Sequence, residues 1–304
     1  MIQNKELFEQ KKEIVNLSSN ELIKSKINTY KYRVNTLYHG VPLSFHTNSN
    51  EFYLELKSYL PSSWSNEFDL EKSVDVYIKG FQEYGFNFDS WCNELSQDCI
   101  IEEDTIIQRD FVAKVLNEKL IHLITLETVC DGFYNFLRWY LPLELMKVNK
   151  LILHSSCILD NQDNAHFFLG HSGAGKTTIT SLSGSRKILG DDMNLLSLND
   201  NIYAQAGAIG GYFKPQVNYS EEFPIKSFNW IVQSNENRRI KLSIAEARSK
   251  IMASVSNIFW DSLSKAQTEF IFNTVLEASQ KIPVYELHFK KESSFWDLIE
   301  KDLK

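Results

Sequence analysis

The feature that most constrains this chain is a glycine-rich stretch at residues 167–178, with the sequence Phe-Phe-Leu-Gly-His-Ser-Gly-Ala-Gly-Lys-Thr-Thr. Gly170, Gly175, Lys176 and Thr177 match the phosphate-loop pattern of a glycine, four residues and then Gly-Lys-Ser/Thr. Glycines let the backbone wrap closely around an anion, with its N–H groups facing the phosphate oxygens. The lysine of such a loop reaches the β- and γ-phosphates, and the following hydroxyl coordinates Mg²⁺. The stretch therefore predicts a nucleotide site.

The residues on both sides of the loop support this interpretation. Residues 165–169 are mostly apolar and predict a buried strand, whereas residues 177–182 predict the start of a helix. The positive end of a helix dipole at that point favours phosphate binding. A glycine-rich turn after a core strand is the alternative interpretation. The residues expected to bind the nucleotide are Gly170, Ser172, Gly173, Ala174, Gly175, Lys176, Thr177 and Thr178.

Two adjacent carboxylates, Asp191 and Asp192, follow Lys176 after only 14 intervening residues. A phosphotransferase needs a metal site and a group that accepts a proton. Thr177 and one aspartate can supply the first, and the other aspartate the second. Because adjacent strand residues point to opposite faces, both serve one site only if the strand ends or bulges there, which Gly190 allows. Alternatively, only one aspartate is functional and the other lies in a turn.

His154 lies in residues 151–159, a predicted strand that precedes the strand of the phosphate loop. If the two strands are neighbours, the imidazole lies near the aspartate pair and can orient a carboxylate base. A hydrogen-bonded core histidine is the alternative. His171 occupies a variable position of the loop and is not expected to take part in the chemistry. Lys214 could reach a phosphate or the acceptor, and Arg238 and Arg239 could contact the nucleotide or an acidic substrate; solvated positions are the simpler interpretation for these three.

Three segments together resemble the HPr serine kinase/phosphatase-related kinases: Leu153-His154-Ser155-Ser156, the phosphate loop, and Ile188-Leu189-Gly190-Asp191-Asp192. The loop and the Gly-Asp-Asp pair also resemble the ATP site of phosphoenolpyruvate carboxykinase. The similarity is closest to HPr-kinase-like proteins encoded beside peptide-modification genes, such as those for lasso peptides. It implies a mixed α/β fold, in which a phosphate-loop core of the carboxykinase and HPr-kinase type follows a smaller α+β N-terminal domain.

The resemblance implies ATP and Mg²⁺ as cofactors and a hydroxyl of the serine or threonine type as phosphoryl acceptor, on a protein, a peptide or a small molecule. Carried over by position, Asp191 accepts the proton with help from His154, Lys176 is catalytic, and Thr177 and Asp192 hold Mg²⁺. Which aspartate has which role stays open. The glycine- and arginine-rich segment of the bifunctional HPr enzymes is not found, so neither HPr as substrate nor the phosphatase reaction is expected. The alternative function is a nucleotide-binding regulatory module without phosphotransfer, suggested by N-terminal aromatic residues such as Tyr30, Tyr38 and Trp64.

The pattern along the chain predicts three parts: a helical extension at residues 1–27, an α+β domain at 28–147, and a nucleotide-binding catalytic domain at 148–304. Within the second part, residues 30–81 alternate as strands and turns. Residues 111–147 have apolar residues at helical spacing and are predicted to be helical.

Composition excludes several classes of function. The net charge is −7 and no basic stripe is interleaved with aromatic residues, which argues against nucleic-acid binding. No apolar run approaches 18 residues, so neither a membrane span nor a signal core is expected, and the chain is predicted to be cytoplasmic. The four cysteines lack metal-type spacing and are predicted to be free thiols. The sequence does not fix the oligomeric state, although the related HPr enzymes are oligomers and a homo-oligomer is compatible with the resemblance.

Overall fold

The computed structural model of the protein describes residues 2–24, 30–60, 70–92, 100–207, 209–255, 260 and 263–301. Two mixed β-sheets with flanking helices make up the fold, which confirms the predicted mixed α/β class. The chain divides into two compact units, Met1–Tyr140 and Leu141–Lys304. The division falls inside helix α4 (Asp131–Lys147). Trp64 and residues 25–27 of the predicted extension lie outside the described residues.

The first unit is built on a seven-stranded sheet with the order β1-β2-β3-β7-β6-β5-β4. Strand β3 is parallel to both β2 and β7, whereas the remaining pairs are antiparallel. The strands are β1 (Tyr32–Tyr38), β2 (Val41–Thr47), β3 (Val74–Gly80), β4 (Ile100–Glu102), β5 (Thr105–Ile107), β6 (Phe111–Asn117) and β7 (Leu120–Thr125).

Helices bury both faces of this sheet. Val15 of α1 (Ile2–Lys24) packs with Phe81, Trp91 and neighbouring apolar residues on one face. On the other face Phe133 of α4 contacts Phe45 and Phe52, at ring-centroid distances of 5.3 and 5.5 Å. The remaining helices of this unit are α2 (Asn50–Tyr59), a 3₁₀ helix (Phe81–Tyr84) and α3 (Phe88–Cys92).

The prediction of a helix over residues 111–147 is wrong for its first half, which forms the β6–β7 hairpin. Phe111, Val115, Leu120 and Ile124 fit helical spacing. They also fit two short strands joined by a turn, and β-branched residues favour the extended form. Sequence spacing alone does not distinguish these two structures. Pairing with β3 and β5 decides for the strands, because it provides hydrogen-bond partners for their backbone N–H and C=O groups. The second half is helical as predicted, and Pro142 lies inside α4 without ending it.

Lys11 is a residue of α1, and its side chain is fully buried. Its ammonium donates hydrogen bonds to the carbonyl oxygens of Gln108 (3.1 Å) and Arg109 (2.7 Å) and lies 4.3 Å from the centroid of the Trp91 ring. Desolvation by burial lowers the pKa of Lys11 from 10.5 to about 7. The amine therefore anchors the helix whether it is charged or neutral, but the charged form carries a desolvation cost.

This cost predicts a pH dependence of stability. Between pH 7 and 10 the unfolded chain binds more protons at Lys11 than the folded chain, so the free energy of unfolding rises with pH in that window. Chemical denaturation at several pH values measures the unfolding free energy of wild type and of Lys11→Met. The value for wild type minus the value for Lys11→Met should increase with pH. Lys12→Met, at a neighbouring partly exposed position, is the control and should not show the increase. A pH-independent difference for Lys11→Met would contradict the prediction.

The second unit contains an eight-stranded mixed sheet. Its strands are β8 (Lys150–Leu159), β9 (Ala165–Leu169), β10 (Ile188–Gly190), β11 (Met193–Leu198), β12 (Ile202–Gln205), β13 (Phe223–Gln233), β14 (Arg238–Lys241) and β15 (Val284–Phe289). Its helices, besides the end of α4, are α5 (Lys176–Ser181), α6 (Ile244–Met252), α7 (Lys265–Lys281) and α8 (Phe295–Lys301). Strands β11 and β12 form a hairpin, and a capping box of Ser243 and Glu246 begins α6.

Strand β9 lies in the interior of this sheet. It pairs antiparallel with β8 and parallel with β13. Helices α6 and α7 cover one face, where Ile251 and Ile271 join a large apolar core. Helices α5 and α8 cover the other face, where Ile179 packs with Phe295 and Trp296. The segment that follows β9 therefore begins at a strand that is paired on both edges and covered on both faces.

Two absences apply only to the residues that the structure describes. No helix there has the length and apolarity needed to cross a membrane. Cys92, Cys130 and Cys157 are free cysteines, as predicted, and Cys99 lies outside the described residues.

Candidate nucleotide-binding site

The phosphate loop joins β9 to α5, so the predicted strand–loop–helix arrangement is present. Gly173 and Gly175 have φ values of +78° and +108°, which other residues rarely adopt. A Cβ atom on Gly175 would lie 2.9 Å from the Cζ atom of Phe289. A Cβ atom on Gly170 would lie 2.8 Å from the Cβ atom of Ala174. Gly175 is therefore required by space and by backbone conformation, and Gly170 by space alone.

The loop is held from within and from β13. The Ala174 N–H donates to the His171 carbonyl oxygen at 3.1 Å, and the Gln233 side-chain amide donates to the Gly173 carbonyl oxygen at 3.1 Å. The ring of His171 meets Trp230 edge to face, with centroids 4.9 Å apart. Gln233 and Trp230 were not predicted from the sequence, because only the β9–β13 pairing brings them to the loop.

Lys176 is buried, and its ammonium folds back over the loop. It donates to the carbonyl oxygens of Gly170 at 2.9 Å and His171 at 3.1 Å. Burial lowers the pKa of Lys176, and the negative charge of Asp192 partly opposes this shift. The amine is therefore poised at the loop, where a phosphate oxygen can replace the two carbonyl groups as its partner.

The aspartate pair interrupts a strand. Strands β10 and β11 both pair antiparallel with β8, and Asp191 and Asp192 lie in the gap between them. The register shifts between Ile188 and Gly190, so the irregularity predicted at Gly190 is present. The Ser155 N–H still donates to the Asp192 carbonyl oxygen at 2.8 Å, which keeps the interrupted segment attached to β8.

His154 and Asp192 come together at this gap. The imidazole Nε2 atom of His154 lies 3.2 Å from the Asp192 Oδ1 atom. The β8–β9 register pairs Ser155 with Leu169, so His154 stands at the level where β9 passes into the phosphate loop. The resemblance had assigned His154 to assist Asp191, whereas the structure puts the ring in contact with Asp192.

Asp191 lies deeper, with only 3% of its surface exposed. Its Oδ1 atom accepts a hydrogen bond from the Phe213 N–H at 3.1 Å. Its Oδ2 atom is buried without a hydrogen-bond partner among the described residues. Such an atom is costly unless a ligand or a cation completes its coordination. No sequence signal could have identified Phe213, because it contributes a backbone N–H.

The two arginines singled out in the sequence lie elsewhere in the fold. Arg239 donates to the Asn229 Oδ1 atom at 3.1 Å and to the Ser227 hydroxyl at 2.9 Å, and it stacks on the Tyr285 ring at 3.6 Å. Arg238 contacts His288. Lys214 is exposed, as expected for a solvated lysine. Arg239 therefore has a structural role in linking β14 to β13 and β15.

The residues present fit a magnesium ion that is shared with a nucleotide. Among the described residues no group of three or more His, Cys, Asp or Glu side chains could hold a metal by itself. Mg²⁺ at phosphate-transfer sites needs only one or two protein ligands, because phosphate oxygens and water complete its octahedron. The exposed Thr177 side chain and the Asp192 carboxylate satisfy that requirement.

Comparisons with known proteins give two findings. Residues 139–304, more than half of the chain, match the family described as SynChlorMet cassette protein ScmC. A stretch of 61 residues is 39% identical to phosphoenolpyruvate carboxykinase (ATP) of Campylobacter jejuni subsp. jejuni serotype O:23/36 (strain 81-176). The carboxykinase of Campylobacter jejuni strain RM1221 matches equally. The stretch is 20% of this chain and only 11% of the carboxykinases' length.

Proposed function

The chain belongs to the ScmC family of SynChlorMet cassette proteins, and on this premise we propose that it is an ATP-dependent phosphotransferase. In this proposal the γ-phosphoryl group of ATP passes to a hydroxyl group of the serine or threonine type. The core is proposed to be of the phosphate-loop type found in carboxykinases and HPr kinases. The local identity to an ATP-dependent carboxykinase supports the use of ATP, although it covers a small part of that enzyme.

The observation that carries the proposal is the contact between His154 and Asp192 at the level where β9 passes into the phosphate loop that contains Lys176. A loop that only binds a nucleotide needs the lysine and the backbone N–H groups. Transfer also needs carboxylates beside the γ-phosphate. His154 contacts Asp192 near the start of the loop, and the charge of Asp192 partly opposes the fall in the pKa of Lys176, which supports a role for this carboxylate beside the phosphates.

The two aspartates are proposed to have different roles. Asp192 with Thr177 holds the metal, and His154 orients Asp192 as hydrogen-bonded partners orient metal-binding carboxylates. Asp191 accepts the hydroxyl proton at its Oδ2 atom, the oxygen that has no other partner in the described part of the chain. When bound, Mg²⁺ neutralises charge on the phosphates during transfer. This retains the roles implied by the resemblance for both aspartates and changes only the partner of His154.

Lys176 is proposed to exchange its carbonyl partners for phosphate oxygens. A carbonyl group is a weaker partner for an ammonium than an anionic oxygen, because charge-assisted hydrogen bonds are about twice as strong as neutral ones. Burial makes the exchange more favourable. It lowers the pKa of Lys176 and so disfavours the charged ammonium, whereas a nearby anionic phosphate favours that charged form. The same residue thus binds ATP and stabilises charge that develops on the transferred group.

Incubation with γ-labelled ATP and Mg²⁺ tests the proposal. Candidate acceptors are proteins and peptides encoded in the same cassette, and small hydroxyl compounds. We expect label to move to one of these acceptors with wild type and not with Asp191→Asn. If the protein binds Mg-ATP tightly but transfers label to no acceptor, the proposal is wrong and the nucleotide-binding regulatory module becomes the better interpretation.

A further inference from the structure

A turn at residues 209–214, called here the covering turn, lies over the Asp191 carboxylate. Its first residue, Ile209, is buried, and Gly210 and Gly211 both have φ values of +76°. Just beyond the turn, the Gln216 N–H donates to the Ile188 carbonyl oxygen at 2.9 Å. The Gln216 side-chain oxygen accepts from the Ile188 N–H at 3.3 Å. The covering turn is therefore fixed to β10, the strand that leads into the aspartate pair.

The covering turn determines which oxygen of Asp191 is left without a partner. The Phe213 N–H engages Oδ1, while Oδ2 has no partner among the described residues. A Cβ atom on Gly211 would lie 2.0 Å from Asp191 Oδ1 and 2.9 Å from its Cγ. Only glycine fits there, because any side chain would displace the carboxylate from the Phe213 N–H. Backbone contacts thus hold the carboxyl group in a single orientation.

Tyr212 lies between Gly211 and Phe213 in the covering turn, and 89% of its surface is exposed. The next most exposed large apolar side chain in the described part of the chain, Leu17, is 59% exposed. A tyrosine ring offers a large contact area at low cost in conformational entropy, and such rings are enriched where proteins bind polypeptides. Small-molecule sites are usually enclosed. A ring this exposed, next to residues that contact the carboxylate, suits a ligand that extends beyond its reacting hydroxyl.

We propose that the covering turn is the acceptor side of the site. Its Phe213 N–H and Gly211 position Asp191, and its Tyr212 is a specificity-determining contact with a peptide that carries the acceptor hydroxyl. This inference rests on the proposed phosphotransfer. In the reaction the hydroxyl oxygen bonds to the γ-phosphorus, the bond from that phosphorus to the bridging oxygen breaks, and ADP leaves. The hydroxyl proton passes to Asp191 Oδ2.

The test of Tyr212 uses γ-labelled ATP with two probes, a mixture of randomised dodecapeptides with one central serine, and free serine. We expect Tyr212→Ala to raise KM for the peptides about tenfold, the effect of losing one interface anchor of about 1.4 kcal/mol. The kcat and the Kd for ATP should stay within about twofold, because the ring contacts neither the loop nor the reacting atoms. Tyr212→Phe, which keeps the ring, should resemble wild type.

The test of positioning uses Gly211→Ala. We expect kcat to fall about 100-fold while the Kd for ATP is unchanged, because a displaced carboxylate is the kind of misplacement that costs this much. Gly184→Ala is the matched control: Gly184 also has a positive φ, +63°, but a Cβ atom there meets nothing within 4 Å. The control should reproduce any general effect of backbone strain without the loss of kcat.

The outcomes separate this inference from the function on which it rests. Peptide kinetics of Tyr212→Ala equal to those of wild type would overturn the acceptor contact. Equal losses of kcat in Gly211→Ala and Gly184→Ala would overturn the positioning role. Label transfer to free serine alone would overturn the peptide acceptor and leave phosphotransfer intact. Transfer to neither probe nor to any other hydroxyl compound, with ATP still bound, would overturn the proposed function and the inference with it.

Discussion

Lys176→Met is expected to lower the rate of phosphoryl transfer about 100- to 1,000-fold, the cost of removing one preorganised group that stabilises developing charge. ATP binding should also weaken, because the ammonium would contact the phosphates in the ground state as well. Methionine keeps the apolar stem of the side chain, so the buried space beside the loop stays filled. Single-turnover transfer and calorimetric titration with Mg-ATP measure the two effects separately.

Lys187→Met is the matched control for this variant. Lys187 follows the loop helix in the same unit, is exposed, and pairs with Asp163 at 2.8 Å, so its loss changes the net charge equally without touching the site. Exposed ion pairs contribute little to stability. Transfer by Lys187→Met should therefore match wild type. A Lys176→Met protein that transfers phosphate at the wild-type rate would show that the loop does not bind the reacting phosphates.

The second large effect is expected to differ between the two adjacent aspartates. Asp191→Asn should reduce kcat about 100- to 10,000-fold, the usual contribution of a general base, with little change in the affinity for Mg-ATP. Asp192→Asn should instead raise the Mg²⁺ concentration needed for half-maximal rate, because it loses a metal ligand. The two variants remove the same charge from neighbouring residues, so each is the control for the other.

Magnesium titrations of the transfer rate distinguish these cases. If high Mg²⁺ restores Asp191→Asn and not Asp192→Asn, the two roles are reversed. In that case Asp192 would be the base, and His154 would be the partner that orients it. If both variants lose only metal affinity, neither aspartate is the base, and the proposed division of roles is wrong.

Motifs identified the loop and the carboxylates but not their arrangement. The spacing around Gly170 and Lys176 predicted a strand, a loop and a helix, and all three are present. Spacing could not decide which aspartate His154 meets, because that depends on how β10 and β11 share one partner strand. The resemblance chose Asp191, and the interrupted strand put Asp192 there instead.

Local patterns were least informative where two secondary structures fit the same residues. Residues 111–125 have apolar positions that suit a helix, yet they form a hairpin because β3 and β5 are available as neighbours. Buried polar residues were also missed. Nothing in the local sequence indicates that Lys11 is buried, because the carbonyl oxygens of Gln108 and Arg109 that accept hydrogen bonds from its ammonium lie 97 and 98 residues further along the chain.

The sequence by itself determined the order of strand, glycine-rich loop and helix, since an apolar run followed by glycines at 170, 173 and 175 and then by lysine and threonine predicts that order. It also determined that two carboxylates follow within a short distance along the chain. Only the tertiary structure decided that Asp192 contacts His154 while Asp191 lies beneath the covering turn. The reason is physical: the contacts that orient these carboxylates come from strand pairing and from backbone N–H groups, and neither is encoded by the identity of any single residue.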